Sequence, residues 1–295
     1  MLRAIALALS GDDDQATATG GNLLKAGEAL GSIRVTVGSI DYETRLVRNQ
    51  DRINVRCGQV PPLRSGSLLT LGFPAVRGAA VGRVEPKQQA SFPYARVEDV
   101  LPLVQGGLDS RMNNVRQWIV NNYVRSQDSK IAPSIRTRSR AMIDTFFKVL
   151  DDMVPGFKLQ FHGCDTKTFE VQLVTSDGIL PMGFVSQGMN STIGWVGVLL
   201  QRMFEVYEGD ESPEQRHALL LIDEIDSHLH PEWQRLLVSK IVENFPNVQV
   251  IASTHSPLVV GNLEAGSVFK FTRDEDVVSV EKLEQSFKGF RAIKF

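Results

Sequence analysis

The sharpest pattern of apolar and polar positions lies in the last third of the chain. Ala218-Leu219-Leu220-Leu221-Ile222 is a continuous apolar run that closes on Asp223-Glu224. Val248-Gln249-Val250-Ile251-Ala252-Ser253 is a second such run, and it closes on Thr254-His255. Short apolar runs with polar ends predict strands buried on both faces, as in a parallel sheet. Between them Trp233, Leu236, Leu237, Ile241 and Phe245 recur at helical spacing, with Pro231 near the first turn. Strand, helix, strand is a βαβ unit. The polar residues at the carboxyl ends of its strands stand where open α/β sheets bind ligands.

The rest of the chain is less regular. Leu2, Ile5, Ala6 and Leu9 fall on one helical face and predict the tail of a core helix. A signal peptide is the alternative, weakened by a single basic residue and no clear small-residue cleavage site. Residues 11–22 are polar and glycine-rich, hence a loop. The alternating runs 33–37 and 53–57 predict antiparallel strands, whereas 58–95, with its Gly and Pro, predicts no element. Two helices are expected around 110–125 and 137–154. The second carries an apolar stripe of Ile143, Phe146, Phe147, Leu150, Met153 and Val154 and is stopped by Pro155-Gly156. Segments 157–161 and 169–174 read as paired strands, with a turn at Ser176-Asp177-Gly178.

Composition narrows the class without naming it. The 295 residues are 42% hydrophobic and 22% charged, ordinary for a globular protein with a substantial core. Lys plus Arg number 32 against 34 Asp plus Glu, so bulk charge offers no case for nucleic acid. Any such contact rests on a local patch, and Arg125, Lys130, Arg136, Arg138 and Arg140 form one, read first as a solvated face and second as a DNA contact. Two unrelated cysteines, Cys57 and Cys164, make neither a metal-ligand pair nor a disulfide framework, which fits a reducing cytoplasm. No apolar run is long enough to span a bilayer, so no membrane role is expected.

The chemistry gathers at the two strand ends. An apolar strand ending in two adjacent carboxylates is the Walker B pattern. One carboxylate, Asp223, can hold Mg²⁺, and the other, Glu224, can orient or deprotonate an attacking water, the alternative being a buried strand with a solvated acidic end. Upstream, Val185-Ser186-Gln187-Gly188-Met189 opens a helical pattern of Ile193, Val196, Leu199, Leu200, Met203 and Phe204. A Ser and a Gly at a helix N-terminus offer a hydroxyl, free N–H groups and the positive dipole end to a phosphate, with a plain N-cap as the alternative role of Ser186.

In this order the segments resemble the ABC-type ATPase domains of SMC-like and OLD-like proteins. Ser186 and Gly188 match a variant signature, Leu220–Glu224 the Walker B strand, Ile225-Asp226-Ser227-His228-Leu229-His230-Pro231 the D-loop, and Val250–Pro257 the H-loop. The resemblance is strong over 180–260. It implies an α/β P-loop NTPase fold, a mixed sheet flanked by helices with an antiparallel β subdomain and a helical insertion. The division expected is 1–84 and 157–295 for the ATPase lobes and 85–156 for a helical arm; Ser286-Phe287-Lys288-Gly289 fits only loosely. It also implies ATP and Mg²⁺ as ligands and an ATP-sandwiched homodimer. Asp223, Asp226, Ser186 and Gly188 would face the nucleotide, Glu224 and His255 would be catalytic, and His255 would contact the γ-phosphate. DNA repair or phage defence, beside DNA or a nuclease partner, is the implied setting. One expected part has no match. No Gly-x-x-x-x-Gly-Lys-Ser/Thr segment occurs in these residues, and Leu2–Leu9 resembles the helix that follows that loop. The chain is thus expected to begin inside that helix and to bind ATP weakly by itself. A Q-loop glutamine is not placed, with Gln88 and Gln89 as candidates. A non-hydrolysing interaction module is the alternative function. A metal site from Asp226, His228 and His230, and a metal nuclease using Asp223 and Glu224, are minor readings.

Overall fold

The computed structural model describes residues 1–11, 23–49, 52–60, 62–66, 68–77, 90–109, 111–261, 263, 267–274 and 277–283. Gln88, Gln89, Ser286–Gly289 and nearly all of the expected loop at 11–22 lie outside the described residues. The first helix, α1 (Leu2–Ser10), buries Leu2, Ala6, Leu7 and Leu9, so it is a core helix, with Ile5 only partly covered. An antiparallel sheet follows, of β1 (Leu30–Val37), β2 (Ile40–Asn49) and β3 (Arg52–Cys57). Both alternating runs are strands, but each pairs with β2 rather than with the other.

The stretch that predicted no element contains β4 (Thr70–Phe73), and all four of its residues are buried. It is short and carries Gly72, both of which hide a strand from periodicity. The glycine has a packing reason. A Cβ there would lie 2.8 Å from the Leu103 side chain and 3.1 Å from the Val100 backbone, on the turn leading into α2 (Leu101–Gln105). The helical insertion is α3 (Met112–Gln127) and α4 (Pro133–Met153), which pack on each other. Pro133 opens α4, where its missing N–H costs nothing. Gly156, at φ 87°, turns the chain after it.

Strands β5 (Gln160–Cys164), β6 (Val171–Thr175) and β7 (Gly178–Pro181) make a second antiparallel sheet. The first of these starts later than the apolar pattern predicts. Lys158 sits at φ 25° and the Leu159 N–H donates to Asp151 Oδ1 at 2.6 Å, which holds 157–159 out of the ladder. The long helix α5 (Gln187–Val206) is buried along nearly its whole length. Trp118 of α3 stacks on Phe204 of α5 and tilts against Phe146 of α4, each at 5.7 Å between centroids, which joins the insertion to the core.

The central sheet is parallel, in the order β4, β8 (Ala218–Ile222), β9 (Val248–Ala252), with Leu71 beside Leu220 and Leu220 beside Val250. Helix α6 (Pro231–Asn244) crosses from β8 to β9 as the βαβ pattern predicts, although Leu236 faces solvent and only Leu237 and Ile241 of the helix are buried. Short α7 (Pro257–Val260) and a hairpin of β10 (Val268–Asp274) and β11 (Val277–Leu283) follow. One hydrophobic core runs from Leu2 to Val259. Among the described residues no helix is long and apolar enough to cross a membrane.

Candidate functional site

The parallel register sets the carboxyl ends of β8 and β9 side by side, and a ladder of short polar links fixes them. The Ser253 N–H donates to the Ile222 carbonyl and the Ile225 N–H to the Ser253 carbonyl, each at 3.0 Å. The Ser253 hydroxyl donates to Asp223 Oδ1 at 2.6 Å while accepting from the Glu224 N–H at 2.9 Å. The Thr254 hydroxyl donates to Asp226 Oδ1 and accepts from the Ser256 N–H at 2.9 Å. The Ser256 hydroxyl reaches Gln234 Oε1 on α6 at 2.6 Å. Ser253, Thr254 and Ser256 therefore serve as the mortar between the two strand ends.

Glu224 and His228 adopt left-handed conformations, φ 49° and 63°, which cost L-residues about 1–2 kcal/mol each. These twists swing the chain through two turns, with Ser227 N–H to the Glu224 carbonyl at 2.9 Å and Leu229 N–H to the Asp226 carbonyl at 3.0 Å. His230 then caps α6 by accepting from the Glu232 N–H. The result brings Glu224 Oε1 within 3.3 Å of His255 Nε2, with the His255 side chain 89% exposed and Glu224 partly open. Asp223, Glu224, Asp226 and His255 thus come together. Among the described residues no group of three or more His, Cys, Asp or Glu is placed to hold a metal ion, and His228 and His230 serve the turn and the cap.

Ser186 and Gly188 reach this region from α5, Ser186 in the plain N-cap role that its position also allows and Gly188 in a packing role visible only in three dimensions. Ser186 is the N-cap of α5, its Oγ accepting from the Met189 N–H at 3.3 Å, and its side chain is exposed. A hydroxyl that accepts in a cap still has its own proton to donate. Gly188 is needed for close packing, since a Cβ would lie 2.4 Å from the His228 carbonyl oxygen. The N-terminus of α5 is thereby seated on the turn that follows Glu224.

Arg77 is the residue the sequence did not mark. It leaves the carboxyl end of β4 in a stretch without periodicity, and no local signal points to it. It is 6% exposed, and its guanidinium donates to the Asp223 carbonyl at 2.5 Å, the Glu224 carbonyl at 2.8 Å and the Pro74 carbonyl at 2.9 Å. Its Nε reaches the Ser191 hydroxyl of α5 at 3.4 Å. Burial pushes the guanidinium down to about 10, against the upward pull of Asp109, Asp223, Asp226 and Glu224.

The fold and the order of these segments are those of an ABC-type ATPase domain of the SMC-like and OLD-like kind. A family model described as "AAA domain, putative AbiEii toxin, Type IV TA system" matches residues 74–261, more than half of the chain, and the chain belongs to that family. Septu protein PtuA of Bacillus thuringiensis is 26% identical over 217 residues, 70% of this chain and 54% of its own length. Retron Vc95 probable ATPase of Vibrio cholerae serotype O1 biovar El Tor is 29% identical over 168 residues, 57% of this chain and 29% of its own. The chain therefore spans about half or less of these curated relatives. Among solved structures, the Smc head bound to the C-winged helix domain of ScpA matches with a TM-score of 0.53 and 16% identity, over 95% of this chain and 85% of that one. At that identity the likeness is one of fold.

Proposed function

We propose that this domain hydrolyses ATP within a homodimer that closes on the nucleotide. The observation that carries the reading is the pair Glu224 and His255, 3.3 Å apart on adjacent strand ends and both reachable from solvent. Glu224 accepts a hydrogen bond from the attacking water and takes its proton, as a general base at this position must. His255 donates from Nε2 to an oxygen of the transferred phosphoryl group. Asp223 would hold Mg²⁺. Its Oδ1 is held by Ser253, which leaves Oδ2 to coordinate, and a lone carboxylate suits a hard cation that keeps water and phosphate oxygens as its other ligands. Held there with ATP, Mg²⁺ would supply neutralisation of phosphate charge.

Asp226, tied to Thr254, sets the course of the turn beside the nucleotide. Ser186 and the backbone at Gly188 act on the nucleotide held by the other protomer. Ser186 and Gln187 are exposed, and Phe184, 73% exposed just before them, supplies apolar area for that contact. We assign 1–84 and 157–295 to the ATPase lobes and 85–156 to the arm, whose Val100, Leu103, Ile119 and Phe146 share one core with the lobes. Relatives named for a Septu protein and a retron, and a family named for a toxin, favour defence against phage over DNA repair, with DNA or a nuclease as partner.

Glu224→Gln in the full-length protein tests the reading. It is expected to lower turnover by about 10²–10⁴ and to accumulate an ATP-bound dimer on sedimentation. Turnover near that of the parent defeats the assignment. Absence of turnover and of ATP binding in the parent favours the interaction module instead.

A further inference from the structure

Arg77 spans three parts of the molecule that are far apart in sequence. It lies 146 and 147 residues from the carbonyls of Asp223 and Glu224 and 114 residues from Ser191. The two carbonyls flank the backbone twist at Glu224, whose φ is 49°. An isolated left-handed residue relaxes unless its surroundings over-determine it. Here one planar guanidinium meets both carbonyls at once, a fork that a single ammonium does not reproduce. The remaining nitrogen reaches α5 one turn beyond the Gly188 contact with His228.

We propose that Arg77 is a positioning residue that locks the Asp223–Glu224 turn to helix α5, so that the Glu224 carboxylate and the α5 N-terminus bearing Ser186 move as one body. The consequence is a physical link between the face offered to a partner protomer and the direction of the catalytic carboxylate. A displacement of α5 at Ser186 reaches the Glu224 backbone through Ser191 and Arg77, without passing through the sheet. Arg77 is 6% exposed and its donors are turned to the carbonyls of Pro74, Asp223 and Glu224 and to Ser191, so it acts through the backbone it holds. The catalytic half of this statement rests on the reading of Glu224 given above, while the mechanical half stands on geometry alone.

The test compares Arg77→Met, Arg77→Lys and Ser191→Ala in the full-length protein by amide hydrogen exchange, beside steady-state ATP turnover. Arg77→Met is expected to speed exchange about tenfold or more at the bonded amides of Glu224, Ile225 and Ser227 and in residues 186–194, with β8 and β9 unchanged. Ser191→Ala is expected to loosen 186–194 alone. Arg77→Lys is expected to leave the 223–227 turn loosened, and it carries the test if the methionine variant does not fold. In turnover, kcat is expected to fall about 10²-fold with KM within a few-fold, as for a misplaced catalytic group, and methylguanidinium added to Arg77→Gly is expected to restore part of it. Unchanged exchange in both segments, or an even rise over the whole chain, overturns the link. If Glu224→Gln leaves turnover intact while Arg77→Met still loosens both segments, the reading of Glu224 fails and the link survives.

Discussion

Strands β8 and β9 are neighbours of equal length, largely apolar, parallel to each other, and each is followed by polar residues. Yet every residue of β8 is buried, while β9 has Gln249 exposed and its other four residues half-buried. The difference is one of neighbours. β8 has a strand on each side, β4 and β9, whereas β9 pairs only with β8 among the described residues. An apolar run reports that a strand suits burial; it does not report whether both flanks are filled. In an otherwise parallel sheet, a half-covered strand of this composition marks an edge on which further backbone can pair.

Residues facing each other across the two strands allow the comparison to be broken. Leu221 and Ile251 are register partners, with Leu221 fully buried and Ile251 half-buried. Leu221→Ala is expected to cost about 3–4 kcal/mol and Ile251→Ala roughly 1 kcal/mol, read from denaturant midpoints at constant m. Equal losses would show that the outer flank of β9 is covered in solution. The same contrast of filled and open space recurs at two glycines of α5. Gly188→Ala drives a Cβ to 2.4 Å from the His228 carbonyl oxygen and is expected to cost about 1–3 kcal/mol. Gly194→Ala, with nothing within 4 Å of its Cβ, is expected to stabilise by about 0.5–1 kcal/mol through helix propensity. A stabilising Gly188→Ala would mean that α5 is not seated on the turn. The smallest effect is expected at Gln249, which faces Leu219 across the ladder. Gln249→Lys should shift stability by no more than about 0.5 kcal/mol, and by blunting the edge it should reduce any self-association seen in sedimentation. A loss of several kcal/mol there would place Gln249 in a buried contact.

Legibility in the sequence followed locality. The segments at β8, α6 and β9 were readable because strand, turn, helix cap and strand are each specified by residues a few positions apart. Pro231 at the start of α6 and Asp223-Glu224 at the end of β8 are instances. The alternation of β1 and β3 was readable as strands, but their partner was not, since β2 declares itself only through pairing. The candidate residues Asp223, Glu224, Asp226 and His255 are all legible in the sequence, but the 3.3 Å approach of Glu224 to His255, and the ties of Asp223 to Ser253 and of Asp226 to Thr254, are properties of the parallel register.

What the sequence determined by itself was the set of local elements and the residue types at their ends, because hydrophobic period, capping and turn chemistry act over one or two turns of chain. What the tertiary structure alone decided was who stands beside whom. It placed a four-residue strand, β4, against β8, and it used a glycine at 188 to let two backbones touch. It also drew Arg77 across 146 residues to hold the turn at Glu224. Such contacts join residues whose own neighbourhoods carry no trace of the partner, so no local pattern records them. They exist only once burial of the core has brought the distant segments together and left each buried donor and acceptor to be satisfied where it lies.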